Sequence, residues 1–169
     1  SNKVELKEQE TVNLKAAEAM AKMNDKLEEI GYDGHDLELY LVRLLFCLFA
    51  DDSTIFNKNI FYDYIYTHSS EDESNLASVI NEIFEILNTP TDKRLKNISE
   101  ELNAFPYVNG KLFEERLPLA SFDSTMRNIV LECSTLDWGK ISPAIFGSMF
   151  QGVMNPEKRR NLGAHYTSE

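Results

Sequence analysis

The chain has 169 residues, 43% of them hydrophobic and 27% charged, and 28 acidic against 17 basic side chains give a formal net charge of −11. This length is typical of one domain, and the longest apolar run, residues 44–50, is too short to cross a bilayer. The polar start of the chain does not have the pattern of a signal peptide. Membrane and secreted classes are therefore disfavoured. Cys47 and Cys133 lack the spacing of a disulfide framework or zinc site, so we expect free thiols in a reducing compartment.

The negative charge is confined to the first part of the chain. Residues 1–102 carry a net charge of −11, whereas residues 103–169 carry equal numbers of acidic and basic side chains. A protein that neutralises DNA phosphates needs a basic surface. Any contact with DNA should therefore come from the C-terminal third or from protein outside these residues.

Two helices are predicted for the first 50 residues. Apolar side chains recur every three or four positions over residues 12–30, and Gly31 supplies a glycine cap. The next segment spans residues 36–50, with Asp36 as its N-cap. It is apolar around most of its circumference, with Arg43 among its few polar side chains, so other helices must cover most of it.

Three further helices are predicted for the middle of the chain. Asn57 is the expected cap of a short helix with an aromatic rim. The serines and acids of residues 69–73 predict the start of the following helix, which should stop at residues 88–90. A helix with few apolar anchors is expected over residues 92–102.

The last third predicts a turn and three more helices. An Asn-Gly pair within residues 105–113 indicates a tight turn or a minimal hairpin. Asp123 is the expected N-cap of one helix, and Ser142 followed by a proline begins another. A short basic helix should cover residues 157–162. The repeated 3.6-residue period with short connections predicts an all-α fold, a bundle of about seven to eight helices.

No catalytic or metal-binding constellation is recognisable. His35, His68 and His165 are far apart in the sequence and have no second ligand at metal spacing, so surface or capping roles are the simpler interpretation. Asp51 and Asp52 could bind a cation, but adjacent acids at a helix end are usually solvated. Glycine-rich phosphate loops are missing from the sequence. We therefore expect neither a catalytic residue nor a metal site in this chain.

Three separated motifs carry a family resemblance. They are FPYVNGKLFEERLP at 105–118, DWGKISPAIFGSMFQ at 137–151 and RRNLGAHYT at 159–167. In this order and spacing they resemble MmeI-like type II restriction-modification proteins, which fuse DNA cleavage with adenine methylation. The segment LVRLLFCLFADD at 41–52 resembles the start of the helical spacer in that family.

The resemblance implies a spacer followed by the start of another domain. In such proteins the spacer lies between an N-terminal nuclease and a methyltransferase domain, whose first motif helps to build the S-adenosylmethionine pocket. By this resemblance, residues 1–162 are the helical spacer domain and residues 163–169 begin the methyltransferase domain. Tyr166 and Thr167 are then the expected cofactor-binding residues, with His165 as a weaker neighbour. S-adenosylmethionine is expected in the full-length parent and not on this fragment.

Two alternatives remain open for the C-terminal residues. The cofactor-pocket segment could be a disordered tail here, because a pocket wall has nothing to pack on without the rest of the pocket. Ser168 also replaces the proline that usually follows this motif in the family. Lys158, Arg159 and Arg160 could approach DNA phosphates in the full-length protein, or they could simply complement a helix dipole.

We expect this fragment to act through its shape and not to catalyse a reaction of its own. The resemblance implies a connector that positions the nuclease and methyltransferase domains of the same chain, in a parent protein that methylates adenine at a specific DNA site. The parent would bind DNA and no membrane, in the cytoplasm of a bacterium or archaeon, while this acidic fragment would bind little or no DNA. The alternative is a stand-alone acidic helical module that binds a protein partner.

Overall fold

The computed structural model describes residues 2–71, 75–155 and 157. Within these ranges the chain forms seven α-helices, two short 3-10 turns and no strand, which confirms the predicted all-α fold. The helices are α1 (Asn2–Glu29), α2 (Gly34–Asp51), α3 (Ile60–His68), α4 (Leu76–Leu87), α5 (Glu100–Asn103), α6 (Ser124–Ser134) and α7 (Pro143–Met154). The 3-10 turns are Thr91–Lys93 and Trp138–Lys140.

Helix α2 lies at the centre of the bundle. It packs against α1, α3, α6 and the 3-10 turn that precedes α7. Its leucines at 41, 44, 45 and 48 are at most 1% exposed, as expected for a helix that is covered on most of its circumference. Trp138 of the 3-10 turn is fully buried, and its indole Nε1 donates to the Cys133 carbonyl at 2.8 Å. Cys47 and Cys133 are both buried and free.

Several helix ends are set by the local chemistry that the sequence indicates. Gly31, at φ +110°, follows the end of α1 in a conformation that favours glycine. Asp123 Oδ1 accepts from the backbone N–H of Met126, and Ser142 Oγ accepts from that of Ile145. Helix α2 begins at Gly34, so Asp36 lies in its first turn and is not the N-cap.

The helix predicted over residues 92–102 is wrong. Only a 3-10 turn and the four-residue α5 form there, and Leu95, an expected apolar anchor, is 71% exposed. The reason is Arg94, whose backbone is extended and whose guanidinium donates to the carbonyls of Ile86, Thr89 and Asn103. Those bonds hold the chain against the C-terminus of α4 in place of a new helix.

One other predicted helix start and the predicted hairpin also differ. Helix α4 begins at Leu76, and Ser69 follows the end of α3 and does not start a helix. Over residues 105–113 the chain turns at Gly110, with φ +118°, but forms no strand ladder. The N–H of Val108 instead donates to the carbonyl of Leu87 at 2.8 Å, so the turn packs on α4.

The basic helix predicted over residues 157–162 lies outside the described residues, except for Glu157. The expected domain boundary at 162 and 163 lies there as well. In the described part of the chain, no helix is long and apolar enough to cross a membrane.

The cap at the start of α6 gives a stability prediction. Asp123 also binds Lys26 Nζ at 2.8 Å, and this hydrogen bond is the main reason that the pKa of Asp123 is lowered. Asp123→Ala removes the acceptor for the first turn and should lower the free energy of unfolding by about 1–2 kcal/mol in urea titrations. Asp123→Asn keeps a good capping oxygen and should lose clearly less. An equal loss in both variants would contradict the cap as the main contribution.

Candidate functional site

Buried polar side chains show which segments of this bundle are fixed relative to one another. A buried polar group costs free energy unless it is paired, so its partners identify fixed points of the backbone. Among the described residues, the buried polar side chains are Asn24, Lys26, Arg43, Asp51, Ser69 and Arg127. Arg43 and Asp51 both belong to α2. Arg43 connects this helix to a loop about 70 residues later in the sequence, and Asp51 connects it to α3.

Arg43 anchors a long loop to the middle of α2. Its side chain is buried, and Nε donates to the carbonyl of Leu112 at 2.8 Å while Nη2 donates to that of Glu115 at 2.6 Å. The guanidinium also lies over the rings of Phe84 and Phe113, at 5.3 and 5.5 Å from their centroids. We call this arrangement the Arg43 anchor. It joins α2, α4 and the loop through one side chain.

Two contacts near the start of α2 hold the same loop. The Tyr32 hydroxyl donates to the carbonyl of Pro118 at 2.6 Å. His35 Nε2 lies 2.9 Å from a carboxylate oxygen of Glu115, and this hydrogen bond is the main reason that the pKa of His35 is raised. The loop from 112 to 118 is therefore attached to α2 and the preceding turn at several points.

Asp51 caps the next helix from the end of α2. Its two carboxylate oxygens accept from the backbone N–H groups of Phe61 and Tyr62, at 2.8 and 3.1 Å, in the first turn of α3. Asn57, the predicted cap, does not do this, and Asn59 precedes α3 at φ +64°. Burial raises the pKa of Asp51 to about 6, against the two N–H bonds, which lower it.

Asp52 connects the end of α2 to the 3-10 turn that precedes α7. Its Oδ2 accepts from the N–H of Gly139 at 2.9 Å. Gly139 lies so close that an added Cβ would be 2.9 Å from the backbone oxygen of Asp52, which is shorter than side chains tolerate. We call Asp51, Asp52 and the N–H groups that they bind the helix-end junction. The expectation that this pair is solvated is wrong for Asp51, which is 4% exposed.

A third set of contacts joins α3 to α6. Arg127 Nε donates to Ser69 Oγ at 2.7 Å, and its guanidinium lies 5.6 Å from the centroid of the Tyr66 ring. His68 at the end of α3 binds Glu101 of α5 at 2.8 Å. Both histidines of the described chain are thus paired with carboxylates on neighbouring segments, in agreement with surface or capping roles.

The structure does not describe the residues that are predicted to bind cofactor or DNA. His165, Tyr166 and Thr167, as well as Lys158 to Arg160, lie outside the described residues. Within the ranges that are described, no group of three or more His, Cys, Asp or Glu side chains could hold a metal ion.

Sequence reasoning missed Arg43 and Asp51 as structural groups. The signal for Arg43 was available, because a lone cation in a helix that must be covered needs internal partners. Its partners at 112 and 115 were not predictable, since they are loop carbonyls about 70 residues away. For Asp51 the signal was its position directly after an apolar run.

The Arg43 anchor gives a second stability prediction. Arg43→Met keeps much of the side-chain volume but leaves two loop carbonyls without their donors, so the free energy of unfolding should fall by about 2–4 kcal/mol. Arg116→Met is the matched control, because Arg116 is an exposed cation on the same loop, and its change should stay within about 0.5 kcal/mol. Urea denaturation followed by circular dichroism measures both. Similar losses in the two variants would contradict the anchor.

Asp51 gives a pH-dependence prediction. Because its pKa is raised from 3.8 to about 6 on folding, the folded state holds the proton more tightly, and the stability contributed by Asp51 is fully present below about 3.8. This contribution should be lost as the pH rises to about 6, at about 1.4 kcal/mol per pKa unit. The free-energy difference between the parent chain and Asp51→Asn should therefore decrease over this range and level off above it. Asp92→Asn, a change at an exposed acid that does not contribute to the raised pKa of Asp51, should leave the decrease in place, and a flat difference would contradict the assignment.

The comparisons with known proteins agree with the motifs noted in the sequence. The family model described as MmeI, helicase spacer domain, matches residues 35–113. DNA methyltransferase A of Bacillus subtilis (strain 168) is 42% identical over 171 residues, which cover 98% of this chain and 19% of that protein. A solved structure of the Type IIL restriction-modification enzyme MmeI in complex with DNA is 63% identical, with a TM-score of 0.78, and the match covers 92% of this chain and 21% of that one.

The chain thus spans about a fifth of the length of these two relatives. The residues matched by the family model include all of the Arg43 anchor except Glu115, and also Asp51 and Asp52. Because the matched structure covers nearly the whole chain at high identity, the likeness extends beyond the fold to this family in particular. The chain belongs to the MmeI-like restriction-modification family, and its residues 35–113 match the spacer domain of that family.

Proposed function

We propose that this domain is a rigid connector within a longer restriction-modification protein. Its function is to fix the distance and orientation between a nuclease on one side and a methyltransferase on the other, without a reaction of its own. The helix-end junction is the observation that supports this most directly. One pair of residues at the end of α2 attaches both the start of α3 and the turn that leads into α7.

The physical argument is that a spacer must resist bending. A flexible linker samples a broad range of end-to-end distances, whereas a packed bundle holds one. Here the contacts that join distant segments are buried or partly buried hydrogen bonds as well as apolar packing. Such bonds are directional and costly to leave unmade, so they favour one relative placement of the helices.

The chemistry of the longer protein remains a proposal. It would transfer a methyl group from S-adenosylmethionine to the exocyclic amine of an extruded adenine. Tyr166, Thr167 and His165 would contribute to the cofactor pocket, and residues 158–160 would approach DNA phosphates. These assignments rest on the family resemblance. The acidic spacer itself would bind little DNA, and the protein would act in the cytoplasm, where its DNA and methyl donor are.

A substitution at the junction tests the connector role in the full-length protein. Gly139→Ala places a Cβ against the backbone oxygen of Asp52, so the turn before α7 must shift. A displacement of about 3.4 Å at the cleavage centre corresponds to one base pair. We therefore expect the cut positions, mapped by sequencing of the cleaved ends, to broaden or move, while methylation at the recognition site is retained.

Gly147→Ala is the control for this experiment. Gly147 lies in α7, where an added Cβ meets no atom within 4 Å, and alanine favours a helix. Its cut positions should match those of the parent protein. If Gly139→Ala is equally silent while thermal denaturation shows that the junction is perturbed, the spacer does not set the cleavage distance.

A further inference from the structure

Helix α7 has the composition of a core helix but not its burial. Its sequence, PAIFGSMFQGVM, contains no charged residue, in a chain that is 27% charged. None of its side chains that the structure describes is buried. Helix α4 has the same length and carries two glutamates, yet seven of its residues are buried. A helix without a charged face is normally enclosed on most sides, so part of α7 is expected to pack on something other than this bundle.

One side of α7 is packed on the bundle. The centroid of the Phe146 ring lies 6.2 Å from that of Trp138 and 5.7 Å from that of Phe49, and the helix also packs against α1. These contacts hold α7 in place before any partner binds. A partner therefore meets an ordered helix, and the contact costs less conformational entropy than one with a free segment.

Another side of α7 is open. Ala144 and Ser148 are exposed, and Ile145 and Met149, which follow them in the sequence, are only partly buried. Residues i, i+1, i+4 and i+5 lie along one side of an α-helix, so these four side chains form a continuous strip, which we call the α7 face. Gly147, the site of the control substitution, lies on a different side. The α7 face matches the core of a protein–protein contact, from which charged residues are depleted.

The chain itself indicates what covers the α7 face. By the family resemblance, residues 163–167 are the first motif of the methyltransferase domain, and this motif begins nine residues after Met154, the end of α7. Nine residues span at most about 32 Å when they are fully extended. A domain that is tethered so closely has an effective concentration on the order of millimolar at α7, which favours it over a second copy of the protein.

The start of the domain has a different surface. A nuclease would be joined through the beginning of α1, where Lys3, Lys7, Glu8 and Glu10 are exposed. These charges favour a hydrated surface over an apolar contact. The uncharged surface therefore belongs to the helix that leads to the methyltransferase and not to the one that leads to the nuclease.

We propose that the α7 face docks onto the methyltransferase domain, so that spacer and methyltransferase form one rigid unit. This inference rests on the proposed connector function, because the methyltransferase belongs to the longer protein. It adds a specific contact to that function. A connector fixes a distance only if it is held against at least one of the domains that it joins, and the α7 face supplies that attachment.

Site-specific photo-crosslinking in the full-length protein tests this contact. The photoreactive residue p-benzoyl-L-phenylalanine is placed at Gln151, an exposed residue that borders the α7 face, so that the face itself is unchanged. In a second protein it is placed at Asn81, an exposed amide of α4. We expect the Gln151 probe to give an intramolecular adduct with a peptide that follows residue 169. The Asn81 probe should not give that adduct.

A charge on the α7 face should weaken the contact. In the protein with the Gln151 probe, Ala144→Glu places a carboxylate where docking would remove it from water, so the yield of the adduct should fall several-fold. Ser78→Glu in the same protein is the matched control, because it also adds a carboxylate at an exposed position in the first turn of a helix, where the helix dipole favours it. The control should leave the yield unchanged. Equal yields from the two variants would contradict docking through this face.

Other outcomes overturn the docking proposal. They are an adduct between two copies, an adduct with a peptide that precedes the spacer, an adduct with DNA, or no protein adduct from the Gln151 probe. Mapping the cut positions keeps the two proposals apart. If the probe gives no adduct while the Gly139→Ala and Gly147→Ala variants behave as expected, docking is wrong and the connector function stands. If the adduct forms but Gly139→Ala perturbs the junction without changing the cut positions, docking stands and the connector function is wrong.

Discussion

The pairing of buried polar groups on α2 is the constraint on which the rest of the structure depends. A charged or polar side chain that is removed from water must find partners, and on this helix the partners belong to other segments. Arg43 binds loop carbonyls from positions 112 and 115, while Asp51 accepts from two N–H groups in the first turn of α3. If the loop or α3 moved away, these groups would remain buried and unpaired. The helix therefore determines where its neighbours lie.

This arrangement gives the proposed connector role a physical basis. Apolar packing alone tolerates small sliding movements between helices, because it has little directional preference. Hydrogen bonds tolerate such sliding less well, because their energy depends on distance and angle. In this bundle the directional contacts join α1 to α6, α2 to α3, α3 to α6, and α2 to the turn before α7. Under the proposed function, a shape that is specified in this way would keep the distance between the two neighbouring domains constant.

The sequence predicts the local features of this fold well and the long-range features poorly. The caps at Asp123 and Ser142 are recognisable because each cap and its partner are three residues apart. The apolar circumference of α2 likewise predicts its central position. The helix expected over 92–102 fails because Arg94 finds carbonyl acceptors on either side of it, which a periodicity argument does not include. The residues expected to bind cofactor or DNA rest on a family motif and on positive charge, and they stay predictions, because their partners would lie outside these residues.

The close approach of Gly139 to Asp52 has a consequence for exchanging parts between relatives. A chimera that takes α2 from one protein and α7 from another would separate two positions that fit only as a pair. Any larger residue at 139 demands a different backbone path at the end of α2. Residues 51–52 and 138–139 should therefore be transplanted together, and a chimeric boundary placed between them would alter the geometry of the hybrid even if every helix folded correctly.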